Sequence, residues 1–419
     1  MGFILTVITI MLALDALWLW QSHRLLRTVR GARRWQLVNA TFVGAMLLIL
    51  VWIFLARLMN LNAGASSSKA LVGAVLIWHL IVLPASIVLL TAGAISTGIV
   101  RAVVRRWGVV SRGSGEVPLP TSDPPPPTPD FLPSRRSFLR TAAAMTPPLV
   151  TTIATAVSMP QLAHFRVRRL TLNLPTLPAS LDGMSIAHVT DVHVGRFTHG
   201  PILDRIAAAT NALDADLVLL TGDLINDSLA YLDEALDFVK RLNPRRGVAM
   251  CEGNHDLIES RAEFERRTRA SGIPLLINES MTVRVRNEPI KLLGLRWGRA
   301  TPGGTRRENS GEDAIRSSMD AVLAQSRGDA FPILLAHHPH AFDPAAAAGI
   351  PLTLAGHTHG GQLMLTESIG FGPQMFRYWS GPYRKPDGST LVVSNGVGNW
   401  FPLRVNAPAE IVHLTLRRG

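Results

Sequence analysis

The sequence predicts an α/β domain, with mixed sheets covered by helices, preceded by an α-helical transmembrane region. Three observations carry that expectation. Apolar runs crowd into the first 100 residues, at 3–20, 37–59 and 71–100, and each is about long enough for a helix to cross a bilayer core. Beyond residue 160, short strand-like runs alternate with amphipathic helical spacing, the pattern of sheets packed against helices. Charge divides the same way: residues 1–160 hold 14 basic against 4 acidic residues, and the remainder 28 against 26.

Composition narrows the class. The chain has 419 residues, 47% hydrophobic and only 17% charged, below the roughly 25% charged of ordinary soluble proteins. A disordered chain and a purely soluble enzyme are both disfavoured. The net charge of +12 sits mostly in the apolar third, between the apolar runs. That is the charge pattern of cytoplasmic loops in a membrane protein, not of a nucleic-acid-binding face. The single cysteine, Cys251, lies in the apolar stretch 247–251 and reads as a small core residue.

The loop 21–36 carries Arg24, Arg27, Arg30, Arg33 and Arg34, whereas 60–70 carries only Lys69. Arg101, Arg105, Arg106 and Arg112 follow the third run. The positive-inside rule then places 21–36 and 101–112 in the cytoplasm. Residues 1–106 therefore read as three transmembrane helices, with Asp15 and Arg57 close enough to the span ends to snorkel. Residues 107–133, with prolines at 124–127, 129 and 133, read as a stiff Pro/Gly-rich linker.

Residues 134–160 open with Ser134-Arg-Arg-Ser-Phe-Leu-Arg140 before a weakly apolar stretch. Paired arginines there resemble a twin-arginine export signal. The segment is expected to be that signal or a fourth transmembrane segment. Twin-arginine export machinery becomes an expected partner. The protein is then expected in a bacterial-type inner (plasma) membrane, multi-pass, with the following domain on the extracytoplasmic side.

Residues 161–419 read as one soluble domain. Strands are expected at 185–189, 216–220, 247–250, 292–295, 333–336, 352–355 and 391–393. Helical spacing appears at Ile202, Ile206 and Ala209, and at Leu229, Leu232, Leu236 and Val239 with Ser228 as N-cap.

Polar clusters stand where these strands end. Asp191-Val-His193 follows the first, and strand alternation would turn both side chains the same way. Thr221-Gly222-Asp223, Gly253-Asn254-His255-Asp256, His337-His338-Pro339 and Gly356-His357-Thr358-His359-Gly360-Gly361 follow others. Asp191, His193, Asp223, Asn254, His337, His357 and His359 together offer seven nitrogen or oxygen donors and no thiolate. That is too many for one tetrahedral zinc and suits two divalent ions sharing Asp223, about 3.5–4 Å apart. Such donors fit Mn, Fe, Zn or Co, with Mn slightly favoured.

With these five blocks, residues 180–415 resemble the calcineurin-like metallophosphoesterase family. The endings Gly356–Gln362, Ser394–Gly398 and Pro402-Leu-Arg404 look like its membrane-associated, twin-arginine-signal phosphodiesterase branch. That branch is similar to enzymes hydrolysing UDP-2,3-diacylglucosamine. The resemblance implies a two-sheet β-sandwich flanked by helices. It also implies Asp191, His193, Asp223 and His359 on one metal, and Asp223, Asn254, His337 and His357 on the other. His255 then looks like the acid beside the leaving group, with Asp256 available to hold it protonated. Position 226 is Asn where the branch often has Asp.

The implied activity is metal-dependent hydrolysis of phosphodiester or pyrophosphate bonds, in a phosphorylated small-molecule or lipid substrate at the membrane. The alternatives are a phosphomonoesterase or protein phosphatase, or a catalytically inactive membrane scaffold or sensor. Arg196, Arg377, Arg384 and Arg404 could grip a phosphate or anionic headgroup, but read mostly as solvated surface charges.

Overall fold

The computed structural model describes residues 2–58, 68–106, 134–298, 312–325, 328–366 and 368–419. The linker expected at 107–133 lies outside them. The chain divides into two compact units, Met1–Val157 and Ser158–Gly419.

The first unit is helical. The apolar runs become α1 (Gly2–Leu26), α2 (Ala32–Leu58), α3 (Lys69–Ile77) and α4 (Leu83–Arg106), with a π-helical turn at Trp78–Val82 joining the last two. Helix α5 (Arg135–Gln161) runs unbroken through Pro147 and Pro148. The Thr151 and Thr152 hydroxyls donate to the carbonyls of those prolines, one turn earlier. Among the described residues, three helical stretches are long and apolar enough to cross a membrane: Ala32–Ala56, Lys69–Val103 and Arg135–Gln161.

Asp15 does not snorkel. It is buried, and its carboxylate accepts from Trp78 Nε1 at 2.9 Å and meets His79 Nε2 at 2.9 Å. Between apolar helices a partnered carboxylate is far less costly than a lone one. Leu71, Leu80, Val88 and Leu89, by contrast, face outward.

The second unit has eleven described strands in two sheets. The strands are β1 (Arg166–Leu174), β2 (Ser185–Val189), β3 (Leu217–Thr221), β4 (Val248–Cys251), β5 (Glu279–Val285), β6 (Glu288–Gly294), β7 (Phe331–Leu335), β8 (Leu352–Ala355), β9 (Gly381–Arg384), β10 (Thr390–Val393) and β11 (Glu410–Arg418). One sheet is ordered β1-β11-β2-β3-β4 and the other β5-β6-β7-β8-β10-β9. In the first, β2, β3 and β4 run parallel and β11 antiparallel to β2. In the second, β6, β7, β8 and β10 run parallel, with β5 and β9 antiparallel at the edges.

Apolar residues alternate toward the space between the sheets. Ile186, Leu217, Leu219 and Leu414 from one meet Ile290, Leu292, Ile333, Leu352 and Val392 from the other, with Cys251 among them. Their burial drives the two layers together. Helices α6 (Pro201–Asn211), α7 (Leu232–Lys240) and α8 (Arg261–Ala270) cover the first sheet through Ile206, Leu236, Val239 and Phe264. Helices α9 (Glu312–Leu323) and α10 (Phe342–Ala347) cover the second through Met319, Val322 and Ala345. Ser228 accepts from the amide of Ala230 and caps the turn that leads into α7. The β2, β3, β4, β7 and β8 ends all release loops toward one region, and that is where the polar blocks lie.

Candidate metal centre

The loop leaving β2 carries Asp191 and His193. They do not sit on a strand: β2 ends at Val189, and both have left-handed backbone, with φ of 51° and 47°. Their side chains converge because the loop is lashed down, not because a strand alternates. The Asp191 and His193 amides donate to the carbonyls of Gly222 and Asp223, at 3.1 and 3.0 Å. Asp223, His357 and His359 also have positive φ. Left-handed backbone costs a non-glycine residue about 1–3 kcal/mol and persists where its surroundings impose it, often at functional sites.

Close backbone approach does the imposing. A Cβ at Gly356 would collide with the Asp191 carboxylate, and one at Gly253 with the Asp223 carboxylate. The freed space lets the His357 amide donate to Asp191 at 3.1 Å and the His255 amide to Asp223 at 2.8 Å. Asp191 and His357, 166 positions apart, are thereby joined by a hydrogen bond from backbone amide to carboxylate.

Among the described residues, the donor atoms form three overlapping groups; one, His193, Asp223 and His255, takes in the rim histidine, and two hold the remaining histidine and carboxylate donors. In one, Asp191 Oδ1 lies 3.2 Å from His359 Nε2, and His193 Nε2 lies 3.0 Å from His359 Nε2. In the other, Asp223, His337 and His357 offer atoms within 4.8 Å of one another. Asp223 Oδ2 joins the two, 3.5 Å from His193 Nε2 and 3.1 Å from His337 Nε2. Asp191, His193, Asp223, His337 and His359 are buried, while Asn254, His255 and His357 are half-buried.

These residues fit divalent cations. Asn254 Oδ1 is a buried acceptor without a hydrogen-bond partner, and His337 Nε2 faces the Asp223 carboxylate at 3.1 Å. Buried polar atoms normally find partners, and a cation would satisfy Asn254. The His337 Nδ1–H donates to the Thr221 carbonyl at 2.7 Å. That fixes the tautomer and leaves Nε2 aimed inward, as second partners do for ligating histidines.

The electrostatics agree. Burial raises the Asp191 and Asp223 carboxyls, but neighbouring histidines, His359 for Asp191 and His337 for Asp223, outweigh it and hold both below the usual range. Burial lowers His337, but Asp223 pulls it up to about 9. His357 is pushed down to about 3 by burial and by His337. The set therefore presents two buried carboxylates among imidazoles.

His255 stands at the rim, its ring 4.6 Å from that of His193 and 6.0 Å from that of Trp400. Its Nδ1–H donates to the Asn226 carbonyl. Asp256 does not hold it. The Asp256 carboxylate instead accepts from the Ile225 and Gly253 amides at 3.0 and 2.8 Å. Burial first, then Asp223, raises its pKa. Asn226 acts through its backbone, so the residue type at 226 does not alter this contact.

Three features escape sequence reasoning. Arg404 is not a surface charge. Its guanidinium donates to the carbonyls of Asn395 and Gly398 and to Asn399 Oδ1, and Nη2 reaches His359 Nδ1 at 2.9 Å. Trp297 packs against His337 and His357, with ring centroids 5.3 and 4.9 Å away. Glu252, raised to about 7 chiefly by burial, anchors it by accepting the Trp297 amide at 3.0 Å. Trp400 closes the opposite side, 6.3 Å from His359. The Pro402-Leu-Arg404 ending pointed at Arg404 by resemblance alone, and nothing in the sequence pointed at Trp297.

Residues 184–361 match the calcineurin-like phosphoesterase family. A transmembrane protein with metallophosphoesterase domain from Danio rerio is 30% identical over 251 residues, 58% of this chain and 55% of that protein. An uncharacterized metallophosphoesterase from Campylobacter jejuni is 28% identical over 253 residues, 60% of this chain and 63% of that one. The chain thus spans less than two thirds of either relative. The solved structure of a dimetal phosphatase from Danio rerio is 13% identical, covering 51% of this chain and 88% of that one, with a TM-score of 0.33. The two mixed sheets with helices outside are the metallophosphoesterase α/β fold.

Proposed function

We propose that the calcineurin-like metallophosphoesterase domain of this chain is a dinuclear, metal-dependent phosphoesterase that hydrolyses phosphodiester or pyrophosphate bonds at a membrane. One observation carries the reading: the buried Asp223 carboxylate stands between the His193 and His337 imidazoles, 3.5 and 3.1 Å from their Nε2 atoms. A shared carboxylate is what two adjacent cations require. Asp191, His193, Asp223 and His359 would hold one ion, and Asp223, Asn254, His337 and His357 the other. Mn is favoured slightly over Fe, Zn or Co for such nitrogen and oxygen donors. Bound divalent cations supply Lewis acidity toward phosphoryl oxygens and toward water.

The chain's own groups do the remaining work. With Nδ1–H committed to the Asn226 carbonyl, the imidazolium form of His255 would carry its second proton on Nε2 and hand it to the departing oxygen, leaving the neutral Nδ1–H ring. The Asp223 carboxylate fixes the His255 backbone and so holds that atom at the rim. Trp297 and Trp400 flank the histidines and shield charge there from water.

Location supports a lipid or other envelope phosphoester as substrate. Among the described residues, three helical stretches are long and apolar enough to cross a membrane, and the Danio rerio relative is a transmembrane protein. The Ser134–Arg140 sequence supports twin-arginine export and an extracytoplasmic domain in a bacterial-type inner membrane. The branch resemblance points toward nucleotide-linked lipids such as UDP-2,3-diacylglucosamine.

The test compares bis(p-nitrophenyl) phosphate with p-nitrophenyl phosphate on the purified full chain. Faster cleavage of the diester is expected. Faster cleavage of the monoester identifies a phosphomonoesterase, and cleavage of neither identifies an inactive scaffold.

A further inference from the structure

Among the described residues of the unit Ser158–Gly419, the exposed large apolar side chains other than Ile258 gather in one place. Leu365 is 78% exposed, Met375 66%, Ile369 57%, Phe371 52% and Val405 41%. These five belong to one small structure. Leu363 pairs with Val405 and Met364 with Gly370 in isolated bridges. The Leu365 amide donates to the Ile369 carbonyl at 2.8 Å, and Asn406 Nδ2 donates to the Met364 and Leu365 carbonyls. Phe371 opens the short helix α11 (Phe371–Met375). Met364 is buried beneath, its sulfur 3.4 Å from the Gly372 amide. The backbone is satisfied inward while the apolar side chains point out. Clustered exposure of this kind marks an interaction surface.

The chain itself supplies the occupant. Only residues 162–165 separate α5, one of the apolar helices, from β1, a reach of about 14 Å. That short tether is fastened beside the patch. Leu162 is buried, and its carbonyl accepts from Asn399 Nδ2 at 3.1 Å. Asn399 Oδ1 accepts from Arg404 Nε at 3.1 Å, and Arg404 is followed by Val405. Through Nη2 the same arginine reaches His359 of the metal centre. Tether, patch and metal centre therefore share one edge of the domain.

We infer that Leu365, Ile369, Phe371, Met375 and Val405 form a bilayer-docking surface. They seat at the boundary between headgroups and acyl chains of the membrane that the chain's own helices occupy. Docking there holds the metal centre at headgroup level. The inference rests on the membrane attachment proposed above, not on the chemistry of the metals.

The test uses the full chain in phosphatidylcholine–phosphatidylglycerol nanodiscs, with or without bromine high on the acyl chains. Cys251 is buried, so a fluorophore placed through Leu365→Cys is selective. Leu48→Cys, on an exposed position of α2, and Lys240→Cys, at the end of α7, are the comparisons. Bromolipid is expected to quench positions 365 and 48 at least twofold and to leave 240 unchanged. Quenching at 48 but not 365 overturns docking and leaves the attachment standing. Quenching at neither overturns both. A position 365 shielded from solvent yet unquenched, with cross-links between copies, assigns the patch to a second copy and overturns the inference. Hydrolysis of bis(p-nitrophenyl) phosphate by the same samples reports the metal chemistry separately.

Discussion

His337 shows how one side chain sets a measurable pH dependence. Its ordinary pKa of about 6.5 is raised to about 9 by Asp223 against the effect of burial. Near neutral pH the imidazole therefore holds a proton that a cation must displace. Loading is expected to release protons at pH 7 and to tighten as pH rises toward 9. Titration calorimetry in two buffers of different ionisation enthalpy reads the release, and an identical heat in both would contradict it. The sign reverses for the chelated protein. A raised pKa adds stability fully present below about 6.5 and lost as pH climbs through about 9, so chelated protein should weaken over that window.

His255 and Arg404 separate chemistry from ligation at the same scale. His255→Ala should retain both metals yet lose about 10²–10⁴-fold in turnover on esters with poor leaving groups. An unchanged rate on such esters would remove its acid role. Arg404 is a positioning residue: it ties the Asn395 and Gly398 carbonyls beside His359. Arg404→Ala should loosen that segment and weaken metal affinity, and Arg404→Lys should restore part of it. Equal affinity in all three proteins, read by competition with a chelating dye, would reduce the arginine to a structural tie.

At the scale of elements, the site is a set of strand-end loops held together by backbone contacts. Asp191, Asp223, His357 and their neighbours were legible because each block follows a short apolar run. The reason inferred for Asp191 and His193 was physically different from the one observed: left-handed backbone, not strand alternation, directs them. Strands β1, β5 and β9 at sheet edges, and β11 beside β1, escaped the reading because their sequences mix charged and polar residues with apolar ones. Arg404 and Trp297 escaped it because their roles exist only through contacts across the fold. The loop packing makes a sharp prediction: Gly253→Ala drives a methyl into the Asp223 carboxylate. It should cost metal binding and activity together while the rest of the unit stays folded, as read by circular dichroism. Full metal occupancy in that variant would contradict the packing argument.

At the scale of the whole molecule, the chain joins a helical unit with an inward-facing Asp15–His79–Trp78 cluster to a two-sheet unit with a buried donor set. Charge and hydropathy made that division legible along the sequence. The partnering of Asp15 was not legible, because it depends on residues more than 60 positions away. Fusing a reporter after residue 165 tests the orientation: activity outside the cytoplasm is expected, and cytoplasmic activity would reverse it.

The most direct test is the number of divalent ions bound per chain, counted by elemental analysis of purified, metal-saturated protein beside Asp223→Asn. Two ions are expected in the native chain, with both weakened by the substitution, because one carboxylate serves both. A saturated native chain holding a single ion, or a variant that keeps two, would contradict a shared dinuclear centre.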